Sequence, residues 1–571
     1  MTAKNQLPSA RPLRVGLISL GCAKNLVDAE IMLGSLVKEG VEITNDAAGA
    51  DVVIVNTCSF IDAAQEESVD AILESAAVRE ANHRGQGLVV SGCLPQRFRE
   101  ELPRLLPEVD AFMGIDQVAE VGAIVRQAMV IRAAKLSQPA GAAGGRSGSR
   151  RRATLARLDA LDGDGTNGGD SGKTTSRDAV RVNGNAPAES PAVEGPLVEV
   201  HARPRFIPDF ATPRFRLTPG HFAYVKIAEG CNHPCSFCII PRMRGTHRSR
   251  PMADIVAEAR RHIADGVREL NLISQDSTYY GLDLRPRRAG SIASPDRFAA
   301  AAKALPADTP TLCLLLRELN ALPGEFWIRL LYTHPAHWTD ELIETIAACR
   351  KVARYVDMPL QHIHDNLLER MRRETSGRYI RDLIGRIRAG IPGIALRTTF
   401  IVGFPGETKA CFETLLDFIK ETRFERLGVF TYSREEGTRA GAMRGQVPDE
   451  VKRERRDRAM AEQRSIAREL AAGRVGHEQT VLVEGEATAR ELRQADVSSW
   501  EHGLLRGNDQ GLDALEGRYT VARGEADAPD IDGRVYIRGR VKPGGFAKVR
   551  IMGHTDYDLV AEPAGTGRNR E

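Results

Sequence analysis

Three cysteines near the middle of the chain are the residues best suited to carry chemistry. Cys231, Cys235 and Cys238 occupy positions i, i+4 and i+7 of one short stretch. A loop of this length can bring its three thiolates to one metal centre, whereas a [4Fe–4S] cubane normally takes four thiolates from protein. One iron would therefore be open to a ligand that is not protein, which is typical of a reactive metal site.

A structural zinc site is the alternative interpretation of the same cysteines. Zinc favours paired Cys-x-x-Cys ligands and a total of four ligands. His233 is the nearest candidate for the fourth, but it lies between Cys231 and Cys235, where the loop would be strained. The number of available ligands therefore favours an iron–sulfur cluster.

A second set of cysteines precedes this loop in the chain. Cys22, Cys58 and Cys93 each follow a short apolar run, and helix-period segments separate the runs. In an open parallel sheet the carboxyl ends of the strands share one edge, where ligands bind. The pattern predicts that the three cysteines converge there as metal ligands. The alternative is three small buried thiols, which are common in protein cores.

Composition and charge limit the classes of function. The chain has 571 residues, which is too long for one core, and a formal net charge of +3 that gives no general attraction to nucleic acid or membrane. We find no signal peptide in Met1 to Arg14 and no apolar run long enough for a membrane span, so we expect a cytoplasmic protein. Nine cysteines in that compartment are better interpreted as metal or redox ligands than as disulfides.

The pattern along the chain predicts an α/β fold that ends in a small β-barrel. Residues 13–132 are predicted as an N-terminal parallel α/β domain that carries the first cysteine trio, and residues 133–217 as a disordered linker. Residues 218–448 contain six strand candidates separated by helical patterns, which predicts a partial (βα)6 barrel. Residues 449–472 read as a charged connector helix, and residues 473–562 alternate with the period of two of a small β-barrel.

The six barrel strands place the cysteine loop. They are predicted at Ala223–Ala228, Glu269–Ser274, Trp327–Thr333, Tyr355–Leu360, Arg397–Val402 and Leu427–Tyr432. The loop follows the first of them, at the C-terminal mouth where barrel enzymes carry their chemistry. An insertion at 285–310 is predicted to be a surface loop without a chemical role.

Two groups of basic residues are open to more than one interpretation. Arg146 and Arg150–Arg152 lie in the linker, where a solvated charge run is favoured over contact with RNA. Lys548 and Arg550 would project from one face of a strand in the β-barrel, which an exposed face tolerates without any ligand.

The spacing Cys-x-x-x-Cys-x-x-Cys resembles the loop of the radical S-adenosylmethionine (SAM) superfamily. The resemblance implies that Cys231, Cys235 and Cys238 hold a [4Fe–4S] cluster and act in catalysis through it. The amino and carboxylate groups of SAM would occupy the open iron, and one electron would cleave SAM to a 5′-deoxyadenosyl radical. The protein positions and shields this cofactor chemistry.

The order of cysteine trio, radical SAM barrel and small β-barrel is similar to that of the methylthiotransferases, whose last domain is called TRAM. This resemblance implies a second [4Fe–4S] cluster held by Cys22, Cys58 and Cys93. Four stretches are similar to the RimO branch of the family, namely Ser19–Asp28, Cys235–Pro241, Asp357–His362 and Phe430–Gly437. The tRNA-modifying branch usually reads Gly-Cys-Gln-x-Asn at the first cysteine, which this chain does not.

The resemblance to the RimO branch implies a substrate and partners. The reaction would add a methylthio group to the β-carbon of an aspartate, in a loop of a small-subunit ribosomal protein on the ribosome. It would use two clusters, two SAM molecules and an electron donor. The alternatives are a tRNA adenosine methylthiotransferase and, from another class, a non-catalytic RNA-binding iron–sulfur protein.

By the same resemblance, Gln361, Gly403 and Glu407 would line the SAM pocket. Gly403 and Gly406 would let backbone approach a ligand closely. The alternative is a plain strand-to-helix turn with Glu407 in the first helical turn, where the helix dipole favours a carboxylate. The remaining cysteines match no ligand position and are predicted as ordinary apolar residues: Cys313, Cys349 and Cys411.

Overall fold

A computed structural model describes most of the chain outside the long linker. The described residues are 11–137, 195–284, 294–306, 309–435, 437–494 and 516–565, with the short stretches 151–152, 154–156, 158, 497–499 and 504–506. Most of the predicted linker, with Arg146 and Arg150, and part of the 285–310 insertion lie outside the described residues. The chain divides into two units. The first is Met1–Leu20, Ile31–Ala202 and Glu435–Gly437, and the second is Gly21–Glu30, Arg203–Arg434 and Thr438–Glu571.

A six-stranded parallel sheet forms the centre of the first unit, as predicted. Its strands are β1 (Arg14–Ser19), β2 (Glu42–Thr44), β3 (Val52–Thr57), β4 (Gly87–Gly92), β5 (Ala111–Met113) and β6 (Leu197–Glu199), in the order β2-β1-β3-β4-β5-β6. The helices of this part of the chain are Ala23–Lys38, Asp62–Asn82, Cys93–Arg97, Leu102–Leu105 and Val121–Ser137. Every residue of β3 and β4 is buried, as expected for parallel strands covered on both faces.

Strand β6 lies inside the residues predicted as linker. It pairs in parallel with β5, from Ala111 opposite Leu197 to Met113 opposite Glu199. Three residues are too few for a period-two pattern, so the sequence offers no sign of this strand. The disordered linker predicted for 133–217 is therefore wrong at its C-terminal end.

The second unit contains the six predicted barrel strands. They are β7 (Phe222–Lys226), β10 (Glu269–Ile273), β11 (Trp327–Leu330), β12 (Tyr355–Asp357), β13 (Ala395–Val402) and β14 (Arg426–Thr431), all parallel within the sheets β7-β10-β11 and β12-β13-β14. A bridge between Ile328 and Val352 and a 2.9 Å hydrogen bond from Thr333 N to Asp357 O join the two sheets. The six strands thus follow one another in chain order, as in a partial barrel.

Helices alternate with these strands and cover them. They are Ile240–Arg244, Met252–Ala264, Pro295–Lys303, Leu312–Ala321, Asp340–Ala348, Asp365–Met371, Gly377–Gly390, Lys409–Thr422 and Asp449–Ala472. The last matches the predicted connector. The helix Pro295–Lys303 falls in the insertion predicted as a surface loop, and Phe298 on it is buried. That prediction is wrong for this segment because the insertion contributes apolar contacts of its own. None of the described helices has the length and apolar character needed to cross a membrane.

The C-terminal strands close into the predicted small barrel. They are β15 (Glu478–Thr488), β18 (Arg518–Gly524), β19 (Val535–Arg538), β20 (Phe546–His554) and β21 (Leu559–Pro563), in the order β15-β18-β19-β21-β20. A core of apolar side chains that includes Val481, Ala522 and Ile537 fills its interior. Two short pairs complete the described strands: β8 (Ala228–Glu229) with β9 (Arg248–Ser249), and β16 (Val497–Ser499) with β17 (Leu504–Arg506).

Candidate metal centre

The three-cysteine loop lies after the first barrel strand, at the predicted mouth. It joins β8 to the helix Ile240–Arg244. The side chains of Cys231, Cys235 and Cys238 are each partly buried. Burial raises the pKa of Cys231, and the neighbouring sulfurs of Cys238 and Cys235 raise it further. The sulfurs of Cys238 and Cys235 therefore lie in the neighbourhood of Cys231.

Gly230 lets the loop turn directly before its first cysteine. Its φ of 77° is in the left-handed region that favours glycine. A Cβ at this position would collide with the carbonyl groups of Gly245 and Thr246. Because the backbones approach so closely, the N–H of Cys231 can donate to Gly245 O at 3.1 Å.

Ser236 fixes the other half of the loop. Its N–H donates to Met371 O at 3.0 Å, and its hydroxyl donates to Arg370 O at 2.7 Å. Its carbonyl accepts a hydrogen bond from Ala440 N at 2.8 Å. Three bonds to two distant segments hold the residue that lies between Cys235 and Cys238.

Hydrogen-bond donors face two of the sulfurs. The backbone N–H of His233 donates to Cys231 Sγ at 3.4 Å, and Arg373 Nη1 donates to Cys235 Sγ at 3.5 Å. Arg373 is itself held by Pro359 O, which accepts from its Nη2 at 2.7 Å. Donors of this kind stabilise thiolates and influence the potential of iron–sulfur clusters. The loop therefore fits a cluster with three protein ligands.

The side chain of His233 is bound away from the sulfurs. Its Nε2 lies 2.7 Å from Asp276 Oδ2, and His337 Nδ1 lies 2.7 Å from the same oxygen. Burial alone would raise the pKa of Asp276, but His337 and His233 hold it well below its usual range. Burial lowers the pKa of His233 to about 4. A shared carboxylate thus anchors the loop, and His233 is not a fourth ligand of the cysteine site.

His233, His334 and His337 together have the composition of a metal site but not its geometry. Their ring nitrogens lie within 4.8 Å of one another. A metal shared by two imidazoles must lie near the plane of each ring, since the nitrogen lone pairs lie in those planes. The rings of His233 and His334 are stacked 3.9 Å apart at an angle of 12°, so their planes are nearly parallel and do not converge on a point within bonding distance of both rings. The arrangement is a stacked, hydrogen-bonded cluster.

The first cysteine trio is distributed over the two units. Cys58 and Cys93 are buried and follow β3 and β4, which are adjacent in the sheet of the first unit. A Cβ on Gly92 would meet the carbonyl of Thr57, so the ends of these strands approach closely. Cys22 follows β1 in the chain, but it belongs to the stretch Gly21–Glu30 of the second unit. Joint ligation of a cluster by this trio stays a prediction.

Gln361 has a strained backbone at the end of the barrel strands. Its φ of 72° is rare for a residue other than glycine. Its N–H donates to Thr399 O and its carbonyl accepts from Ile401 N, each at 2.8 Å. Strain of this kind is common at ligand sites, and a role for Gln361 in the SAM pocket stays a prediction.

Gly403 and Glu407 have contacts that a turn explains without a ligand. A Cβ on Gly403 would collide with the side chain of Lys452, so glycine makes room for the connector helix. The carboxylate of Glu407 accepts from Gly403 N and, at 3.1 Å, from Phe404 N, and it lies 3.3 Å from Arg455. Burial raises the pKa of Glu407 to about 7 against the opposing effect of Arg455 and the two amides. A role for both residues in binding SAM stays a prediction.

The other cysteines are in apolar surroundings, as predicted. Cys313 and Cys349 are buried in the core of the second unit, and Cys411 is buried beside Phe404 and Tyr432. The sequence reasoning did not name Asp276, His337 or Arg373. Asp276 and His337 follow β10 and β11, so the strand-end rule that identified the cysteine loop was the signal available for both.

Three segments of the chain match known protein families. Residues 14–114 match the Uncharacterized protein family UPF0004, residues 225–419 match the Radical SAM superfamily, and residues 511–563 match the TRAM domain. These segments contain strands β1–β5 of the first unit, most of the partial barrel up to β13, and much of the closed β-barrel.

Proteins of similar sequence share nearly the whole length of the chain. The chain is 48% identical over 556 residues to the ribosomal protein uS12 methylthiotransferase RimO of Opitutus terrae, covering 97% of each chain. It is 44% identical over 557 residues to the protein of the same name from Akkermansia muciniphila, covering 96% of this chain and all of the other.

Among solved structures, the radical SAM methyltransferase TsrM of Kitasatospora setae, with cobalamin and a [4Fe-4S] cluster bound, is a distant neighbour. It has a TM-score of 0.44 and 15% identity, over 76% of this chain and 74% of that one. Similarity at this level carries no information on function.

Proposed function

The chain belongs to the RimO family of radical SAM ribosomal protein methylthiotransferases, and on this premise we propose that it adds a methylthio group to the β-carbon of an aspartate in ribosomal protein uS12. It is an enzyme whose cofactors are iron–sulfur clusters and SAM. We propose further that it holds two [4Fe–4S] clusters and uses two SAM molecules per turnover, one as methyl donor and one as radical source.

The geometry of the Cys231–Cys238 loop is the observation that carries the proposal. Its three partly buried thiols lie at the barrel mouth, and N–H donors face two of them. When bound, the cluster and SAM supply a 5′-deoxyadenosyl radical, which removes a hydrogen atom from an unactivated carbon. No acid–base side chain can do this usefully at the β-carbon of an aspartate.

The residues around the loop hold and shield the cofactor. Arg373 and the N–H of His233 donate to sulfur, while Ser236 and Asp276 keep the loop in one conformation. The ring of Phe237 meets that of Phe404 edge-on at 6.5 Å, which places apolar surface beside the cysteines. Such surface excludes water from a reactive intermediate.

The second cluster is proposed to be held by Cys22, Cys58 and Cys93 and to carry the sulfur that is transferred. The strand-end position of Cys58 and Cys93 on neighbouring strands supports this part of the proposal. Reconstituted protein should then contain roughly eight iron and eight sulfide per chain, two cubanes' worth. A value of roughly four would refute the second cluster and leave the first intact.

The experiment is a reaction with the proposed substrate. Reconstituted protein is incubated with ribosomes that lack the modification, SAM and a chemical reductant that replaces the electron donor. We expect a uS12 peptide to gain the mass of one SCH2 group, with the increment on an aspartate. Cys235→Ala should abolish the gain, whereas the matched control Cys349→Ala, a buried core cysteine, should retain it.

The alternatives give different results in the same experiment. A tRNA methylthiotransferase would leave uS12 unchanged and modify an adenosine in added tRNA. A non-catalytic RNA-binding protein would form no 5′-deoxyadenosine at all. Either outcome would refute the proposal.

A further inference from the structure

Four buried side chains of the second unit form a closed ring of alternating charge. Lys226 Nζ lies 2.5 Å from Asp28 and 2.8 Å from Glu229. Arg244 closes the ring, 3.0 Å from Glu229 and 3.1 Å from Asp28. All four side chains are between 2% and 5% exposed. Asn25 Oδ1 accepts a further hydrogen bond from Arg244 at 2.6 Å.

Three members of this ring surround the cysteine loop in the chain. Lys226 ends β7, Glu229 ends β8 directly before Gly230, and Arg244 ends the helix after the loop. Glu229 lies between two cationic groups, the ammonium of Lys226 and the guanidinium of Arg244, and is therefore paired as a carboxylate. These three members together carry two positive charges and one negative charge.

Asp28 is the fourth member and comes from elsewhere in the chain. It lies in the stretch Gly21–Glu30, which also carries Cys22 and belongs to the second unit. Its carboxylate makes the ring neutral. A buried charge without a partner is strongly unfavourable, so the surroundings of the loop are electrostatically complete only when this stretch is in place.

Other buried contacts hold the same stretch. The carboxylate of Glu30 accepts from Arg214 Nε and from Leu217 N, each at 2.7 Å. The ammonium group of Lys24 lies 3.1 Å from the centre of the Tyr332 ring. The polar residues that follow Cys22 thus attach this stretch to the rest of the second unit.

We propose that Asp28 is a positioning residue that attaches the Cys22 stretch to the Cys231–Cys238 loop and neutralises the charge beside the cluster of that loop. The inference rests on the proposed function for the roles of the two sets of cysteines. Burial leaves little solvent to screen the ring, so a change in its net charge alters the electrostatic potential near Cys231. The reduction potential of a cluster responds to such changes.

The sign of the charge provides the test. Asp28→Asn leaves the ring with an excess positive charge, and Lys226→Met leaves it with an excess negative charge. We expect the first variant to raise the reduction potential of the loop's cluster and the second to lower it. The double variant restores neutrality and should return the potential towards the wild-type value. The loop's cluster is identified as the one whose electron paramagnetic resonance signal changes when SAM is added.

A matched control separates charge at this site from a general loss of stability. Asp527→Asn removes a carboxylate of equal exposure that is paired with Arg426 elsewhere in the second unit. It should leave the potential unchanged. If the Asp28 variant yields no folded protein, Lys226→Met and the double variant still decide, since the first should lower the potential and the second should return it towards the wild-type value. Equal potentials in all variants would overturn the proposal.

A second readout tests the attachment itself. Misplacement of a reacting group by about 1 Å can cost about 100-fold in rate. We therefore expect Asp28→Asn to form 5′-deoxyadenosine but to lose about 10- to 100-fold in methylthiolated peptide per 5′-deoxyadenosine. A wild-type ratio in this variant would refute the inference and leave the proposed function standing. Absence of product from the wild-type protein would refute the proposed function instead.

Discussion

Replacement of Gly230 by alanine should damage the cysteine loop through a single added carbon. Gly230 has a φ of 77°, and a Cβ there would collide with the carbonyl groups of Gly245 and Thr246. Gly245 O also accepts the N–H of Cys231, so the collision affects the hydrogen bond that holds the first cysteine. Gly266 is a matched control, since its φ is 92° and a Cβ there would have no atom within 4 Å.

The two substitutions differ only by the collision. An alanine in the left-handed region costs about 1–2 kcal/mol, and this cost is common to both variants. Gly230→Ala must in addition shift the backbone of a packed loop, which costs about 1–3 kcal/mol. The free energy of unfolding should therefore fall by about 1–2 kcal/mol in Gly266→Ala and by about 2–5 kcal/mol in Gly230→Ala.

These losses are measured by urea denaturation of the full chain without iron, with tryptophan fluorescence as the signal. Trp327 and Trp338 of the second unit contribute to that signal. Iron analysis after reconstitution gives the functional readout. Gly230→Ala should lose roughly half of the iron, one cubane of two, while Gly266→Ala should retain all of it. Equal losses of stability in the two variants, or full iron in Gly230→Ala, would refute the reasoning.

Three further substitutions test other parts of the structure. Cys313→Ala should leave the iron content unchanged and cost on the order of 1 kcal/mol, because the thiol is a buried core group; a loss of iron would contradict this. Burial lowers the pKa of His362 to about 3, so below pH 6.5 the unfolded chain takes up a proton that the folded chain refuses, and stability falls as the pH falls. Between pH 7 and pH 5, urea titration should show a fall of about 2 kcal/mol in the free energy of unfolding of the wild type that is absent from His362→Gln. Equal falls in the two proteins would contradict this prediction. Tyr355→Phe removes a hydrogen bond of 2.7 Å to the buried Asp532 and should cost about 1.5–3 kcal/mol in chemical denaturation, so unchanged stability would be the contrary result.

The strands of the barrel show how far local patterns reach. All six predicted strands are present, because each is a buried apolar run bounded by polar turns, and burial is encoded in consecutive residues. β6 was not predicted, because it has only three residues and depends on its partner β5 for its conformation.

The SAM-pocket residues show the limit of inference from a motif. Gly403 and Glu407 looked equally suited to a ligand or to a turn. In the structure, the side chain of Lys452 fills the space beside Gly403, and Arg455 pairs with the carboxylate of Glu407. Both residues come from a helix that is distant in the sequence. Gln361 differs, since its strained backbone is a property that no residue type reveals.

Residue identity and spacing were sufficient to recognise the cysteine loop, because three thiols within eight residues must lie close together whatever the rest of the chain does. The parallel α/β order and the family followed from equally local patterns. The partners of those residues were decided only by folding: Asp28 reaches Lys226 and Arg244, and His233 reaches Asp276, across long separations in the chain. Buried charges must find opposite charges wherever the fold places them. Their pairing is therefore a property of the tertiary structure.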